Sequence, residues 1–231
     1  CYTKATQYQP KWEIGFALLG KIYSSNDDLV KAIEAYKKAI SLNPDSAETH
    51  YNMGNSLADI SKLDEAIEAY QKALSIDPNY AEAYQSMAAV LQIQGELKDA
   101  IKFYKKALSL NPELAETYNN LGVSLEAHGE LSAAKTSYEK ALAIKPNFVA
   151  AFCNLGRVQL NLGAFKASIK TFERALKIEP NHYDAYHGLG LSNFSYGNFK
   201  ESIKVYKEAL KIKHTDGLAW NNIIFPLQLL N

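Results

Sequence analysis

The chain is expected to be all-α, a solenoid of antiparallel helix pairs laid end to end. Three observations carry that expectation. Proline recurs at Pro44, Pro78, Pro112, Pro146 and Pro180, every interval being 34 residues. Alanine holds one phase throughout, at Ala39, Ala73, Ala107, Ala141, Ala175 and Ala209. An aromatic ring stands three residues before each of those alanines, as Tyr36, Tyr70, Tyr104, Tyr138, Phe172 and Tyr206. A fixed period of this length marks one supersecondary unit stacked on copies of itself, with no single central site.

Taken in order, the units span 13–46, 47–80, 81–114, 115–148, 149–182 and 183–216, with 217–231 opening a further one. The first dozen residues read as the end of an earlier unit, because Tyr2, Ala5 and Pro10 fall one period before Tyr36, Ala39 and Pro44. Each first helix carries a mostly aromatic fourth position: Phe16, His50, Tyr84, Tyr118, Phe152, Tyr186 and Trp220. Its eighth position is small, as Gly20, Gly54, Ala88, Gly122, Gly156 and Gly190. Each second helix carries Ala32, Ala66, Ala100, Ala134, Ser168 or Ser202 at the twentieth position. Bulk and small residues spaced by three and four share one helical face, so rings on one helix meet notches on its partner.

The turns agree. Proline between helices loses least from its missing N–H and fixed φ. Asp45, Asn79, Glu113, Asn147 and Asn181 follow the prolines and are expected to cap the next helix, with Glu48, Glu82, Glu116 and Asp184 completing a capping-box pattern. The turn inside each unit holds Gly95, Gly129, Gly163 and Gly197, with Asp27 and Ser61 in that place in the first two.

These residues are the signature of the tetratricopeptide repeat, and the chain resembles that family over nearly its whole length. The resemblance implies a right-handed superhelix whose concave face is lined by the first helices. It departs locally: His214 replaces the proline of the sixth unit, and Gln159 and Asn193 stand where a large apolar residue is usual. The related class that reads RNA has a different length and pattern.

Composition points away from several function classes. Lys plus Arg and Asp plus Glu are 25 each, so no global charge draws the chain to nucleic acid or membrane. The balance is uneven: residues 13–144 hold 12 basic and 19 acidic side chains, residues 145–213 hold 11 and 5. Solvated outer-helix lysines such as Lys170 and Lys207 account for the second stretch. No segment is long and apolar enough to span a bilayer and no secretory signal is visible, so a cytoplasmic setting is the default. Cys1 and Cys153 do not make a disulfide framework. Asn193-Phe194-Ser195 reads as a chance sequon inside a packed helix. The apolar stretch at 223–230, broken by Pro226, suggests a chain that continues, or self-association through exposed terminal repeats.

Catalytic chemistry has no foothold in the sequence, and no cofactor or metal is expected. The five histidines occupy different repeat positions and form no metal-spaced pair. Cys153 has no obvious histidine partner in its unit, and paired carboxylates occur only at helix starts and turns.

What remains is the groove that the resemblance implies. Its sixth position reads Leu18, Asn52, Ser86, Asn120, Asn154, Gly188 and Asn222, with Asn55, Asn119 and Asn221 nearby. Asparagine is a poor helix former, so propensity does not explain its recurrence mid-helix. A primary amide complements a peptide group, donor to acceptor and acceptor to donor. Such a row would hold an extended peptide by its backbone, with Tyr51, Arg157 and Phe194 setting preference. The pattern is similar to the asparagine ladder in the repeat arm of the O-linked N-acetylglucosamine transferases, interrupted here at Ser86 and Gly188. Alternatively these amides serve only inter-repeat hydrogen bonds. Lys21, Asn55 and Arg157 are too scattered for the carboxylate clamp of the family's chaperone adaptors. The expected function is a non-catalytic scaffold for a protein or peptide; the alternative is the targeting arm of a larger enzyme.

Overall fold

The computed structural model describes residues 12–214 together with Trp220, Asn222 and Ile223. The end of an earlier unit read at 1–12 lies outside the described residues except for Trp12, as does most of the further unit read at 217–231.

Among the described residues the secondary structure is helical. Helices α1 (Glu13–Ser25) and α2 (Leu29–Leu42) form the first pair, α3 (Ala47–Asp59) and α4 (Leu63–Ile76) the second, α5 (Ala81–Ile93) and α6 (Leu97–Leu110) the third. The pairs α7 (Ala115–Ala127) with α8 (Leu131–Ile144), α9 (Val149–Asn161) with α10 (Phe165–Ile178), and α11 (Tyr183–Tyr196) with α12 (Phe199–Ile212) follow. The chain divides into two compact units, Cys1–Pro112 and Glu113–Asn231. Within each, the two helices of a pair pack together and first helices of successive pairs touch: α1 with α3 and α3 with α5, then α7 with α9 and α9 with α11.

The ring-and-notch pattern is what holds each pair. A Cβ placed on Gly54 would lie 2.6 Å from the Tyr70 ring, one on Gly122 2.5 Å from Tyr138, and one on Gly156 2.7 Å from Phe172. The alanines at the twentieth and twenty-seventh positions, Ala66 and Ala73 among them, are fully buried. Small residues thus let the helix backbones approach while a ring fills the space beside them. Where the later units replace an apolar residue, the new polar group is satisfied. Ser168 Oγ donates to Gly156 O at 2.7 Å, Ser202 Oγ to Gly190 O at 2.8 Å, and Thr171 Oγ1 to Gln159 Oε1 at 2.7 Å. Asn193 is buried and donates to Leu189 O at 3.0 Å, which leaves its sequon closed to a glycan.

The inner turns adopt the left-handed conformation in every pair. Gly95, Gly129, Gly163 and Gly197 have φ between 73 and 91°, and Asp27 and Ser61 hold φ 61° in the same place.

The outer turns differ from the expectation. The N-cap is one residue later than expected, at Ser46, Tyr80, Leu114, Phe148 and His182. A side-chain cap is made by Ser46, to Thr49 N, and by His182, to Ala185 N. The polar residue before the proline does the local work instead: Asn43 Oδ1 accepts from Asp45 N at 3.1 Å and Asp77 Oδ1 from Asn79 N at 2.9 Å. The turns through Pro44 and Pro78 are thus Asx turns, which take up Asp45 and Asn79, two of the residues expected to cap.

No helix among the described residues is long and apolar enough to cross a membrane.

A groove face with a side-chain pocket as candidate site

The candidate site is built on the first helices, whose second, fifth, sixth, ninth and twelfth positions share one face. In the N-terminal unit, α3 presents Tyr51, Asn52 and Asn55, all half-buried. Asn55 Oδ1 accepts from the Tyr70 hydroxyl at 2.8 Å, and the Tyr51 ring packs 4.9 Å from Tyr80 and 6.1 Å from Tyr70. Burial pushes the Tyr70 phenol well above its usual range. Both groove residues are therefore partly committed to the phenol that packs the pair. The third pair repeats this with the Tyr104 hydroxyl on Gln92 Oε1 at 3.0 Å.

In the C-terminal unit the asparagines bond across repeats. Asn154 Nδ2 donates to Asn119 Oδ1 at 3.0 Å, and Asn119 Nδ2 approaches Asn120 Oδ1 at 3.4 Å. Arg157 then links Asn154 Oδ1 at 2.9 Å to Glu126 Oε1 at 2.6 Å, and Glu126 Oε2 accepts from the Tyr138 hydroxyl at 3.1 Å. Asn119 is buried, so it acts as the joint of this chain, while Asn120 and Asn154 stay half-exposed. The same step from a fifth to the next sixth position joins His187 Nε2 and Asn222 Nδ2 at 3.4 Å. An amide N–H there requires the unprotonated Nε2, and burial lowers the His187 pKa in keeping with that, against a smaller opposing effect of Asp184. Each primary amide has two N–H protons and two lone pairs, more than these bonds use.

The scattered cations are likewise engaged: Lys21 pairs with Glu48, and Arg157 with Glu126. Phe194 packs its ring 5.5 Å from Phe199 of the following helix. Cys153 has a histidine partner after all, His182 Nδ1 at 3.9 Å. That nitrogen already accepts from Ala185 N, and burial foremost, helped by Asp184 and Glu179, pushes the thiol up to about 11. A thiol so held is not a nucleophile at neutral pH.

The interruption at Gly188 has a structural counterpart that single positions did not disclose. A Cβ on Gly188 would lie 2.2 Å from Phe172 Cζ, and one on Gly156 2.8 Å from the same atom. The tip of the Phe172 ring thus sits between two glycines, where the other pairs set a tyrosine under a larger sixth-position side chain. A pocket of about 380 Å³ opens there between α9 and α11. Phe172, Gly188, Leu160, Leu191 and Cys153 line it together with the polar Asn154, Arg157, Asp184 and His187. The signal was present in the sequence as two coupled departures 16 residues apart, Phe for Tyr at 172 and Gly for Asn at 188.

Models described as tetratricopeptide repeat match residues 47–80, 79–147, 125–192 and 183–215, and one described as TPR repeat matches 20–61. The crystal structure of MamA is similar with a TM-score of 0.67 and 32% identity, over 70% of this chain and 94% of that one. That of YrrB, described as a TPR protein with an unusual peptide-binding site, is similar with a TM-score of 0.74 and 25% identity, over 82% and 97%. Protein bimA of Emericella nidulans is 33% identical over 64 residues, which spans 28% of this chain and 8% of that protein.

Proposed function

This chain belongs to the tetratricopeptide repeat family, and from that premise we propose that it is a non-catalytic protein-interaction scaffold whose first-helix face holds an extended polypeptide. The observation that carries the reading is the half-exposed row of primary amides at the sixth position, Asn52 in the N-terminal unit and Asn120 and Asn154 in the C-terminal one. Packed helices stand about 8–10 Å apart, and an extended chain rises roughly 3.3 Å per residue, so one amide meets about every third residue of a bound segment. The inter-repeat bonds of Asn154 support the reading by fixing the amide plane before a ligand arrives, which lowers the entropy cost of binding. YrrB, similar in fold, is described as having a peptide-binding site.

A random dodecapeptide display selection is the test. Peptides enriched on the wild type should bind at least about tenfold more weakly to Asn52→Ala in the N-terminal unit and to Asn120→Ala/Asn154→Ala in the C-terminal one. Asn52→Ala should cost no more than about 1 kcal/mol at its half-buried position, and both variants should remain folded. Unchanged binding by folded variants would move the function off this face.

A further inference from the structure

We propose that the pocket between α9 and α11 receives one aromatic side chain with a polar tip, tyrosine or tryptophan, from the bound polypeptide. The inference rests on the groove reading and names the residue class that this part of the groove selects.

The pocket lies where the fifth and sixth pairs depart from the others at two neighbouring positions. In the fourth pair the Tyr138 hydroxyl reaches Glu126, and the next sixth position is Asn154. In the fifth pair Phe172 carries no hydroxyl and the next sixth position, Gly188, carries no side chain. The sixth-position amide is absent there, the tip of the Phe172 ring stands where a Gly188 side chain would begin, and Phe172, Leu160 and Leu191 give the adjoining pocket its apolar lining. At about 380 Å³ it lies at the small end of ligand-sized cavities, room for a side chain rather than a larger ligand.

The lining chooses among side chains. Its apolar carbon favours an apolar body, and rings prefer to meet rings offset or edge to face. The lining also includes Asp184, whose charge is felt by both Cys153 and His187, as an acceptor for an O–H or N–H at the ligand's tip. An acidic occupant would face that carboxylate, and Arg157, the cation among the lining residues, already spends its charge on Glu126 at 2.6 Å. A cationic occupant would surrender its water to the apolar lining with Arg157 beside it.

One variant narrows the pocket with a group that the other repeats already carry. Phe172→Tyr restores the residue found at Tyr36, Tyr70, Tyr104, Tyr138 and Tyr206. The probes are N-acetyl-tyrosinamide, N-acetyl-tryptophanamide, N-acetyl-leucinamide and N-acetyl-argininamide, titrated into the ¹⁵N-labelled chain and followed by amide shifts. The tyrosine and tryptophan probes should shift Gly156, His187 and Gly188 saturably, and Phe172→Tyr, folded by circular dichroism, should weaken them roughly tenfold. Absence of saturable shifts at these residues, tighter binding of the arginine or leucine probe, or an unaffected Phe172→Tyr would each overturn the proposal. The display selection separates the two readings. Enriched peptides that need Asn120 and Asn154 but lack any aromatic preference sink the pocket alone. Saturable probe binding without any enriched peptide leaves the pocket and removes the extended-peptide groove.

Discussion

At Gly54, Gly122 and Gly156 one methyl group separates a packed helix pair from a clash, because the twenty-fourth-position ring lies within 2.5–2.7 Å of where Cβ would be. Ala107 is fully buried by the same logic. Ala107→Leu is expected to cost roughly 1–3 kcal/mol by overpacking, whereas Ala143→Leu at an exposed position of α8 should cost far less. Thermal melts of the two variants check this, and equal shifts would contradict the register. Cys153 makes a second residue-scale case. With its thiol pushed up to about 11, alkylation by iodoacetamide should be slow at pH 8 in the folded chain and fast after unfolding. The packing residues were legible from period alone, since a small residue and a ring recurring at fixed phase have little other use. The bonds of Gln159 to Thr171 and of Asn119 to Asn154 were not, because they join residues whose approach depends on how helices pack.

At the scale of elements, helix spans were readable and helix ends were not. The side-chain caps fall at Ser46 and His182 rather than at the residue after proline. At the turns through Pro44 and Pro78 an Asx turn made by Asn43 or Asp77 engages the backbone N–H of the residue after the proline, so that residue belongs to the turn and not to the cap. Ser46→Ala should therefore destabilise by about 1 kcal/mol through loss of the bond to Thr49 N, while Asp45→Ala should stay within about 0.5 kcal/mol. Urea unfolding of both variants measures the difference, and the reverse order would restore the capping-box reading. The positive φ at Gly129 likewise predicts about 1 kcal/mol of loss for Gly129→Ala with no steric contact to blame.

At the scale of the whole molecule, a buried phenol in every described pair but the fifth, where Phe172 stands, makes stability depend on alkaline pH. Burial raises the pKa of Tyr70, Tyr138 and Tyr206 well above the usual range and that of Tyr36 to about 12. A phenol with a raised folded-state pKa stabilises fully below its unfolded pKa near 10, and that contribution is lost as pH climbs through the folded value. Absorbance at 295 nm should then show these core tyrosines ionising in a steep late step that coincides with loss of helical ellipticity. A single broad titration with the helices intact would show that these phenols are reachable by solvent. Each pair supplies its own ring and notch, so stability sums over pairs and their neighbours rather than over one core.

By itself the sequence determined the helical class, the period, the notch and ring positions and the left-handed inner turns, because each follows from spacing along a single helix or from one residue's φ. It also marked the row of groove asparagines, since amides mid-helix contradict propensity. Only the tertiary structure decided what those amides touch. The joining of Asn119, Asn154, Arg157 and Glu126 into one bonded chain, and the pocket left where Phe172 meets Gly188, depend on distances between helices. Those distances are set by packing of side chains far apart in the chain, and no local propensity encodes them.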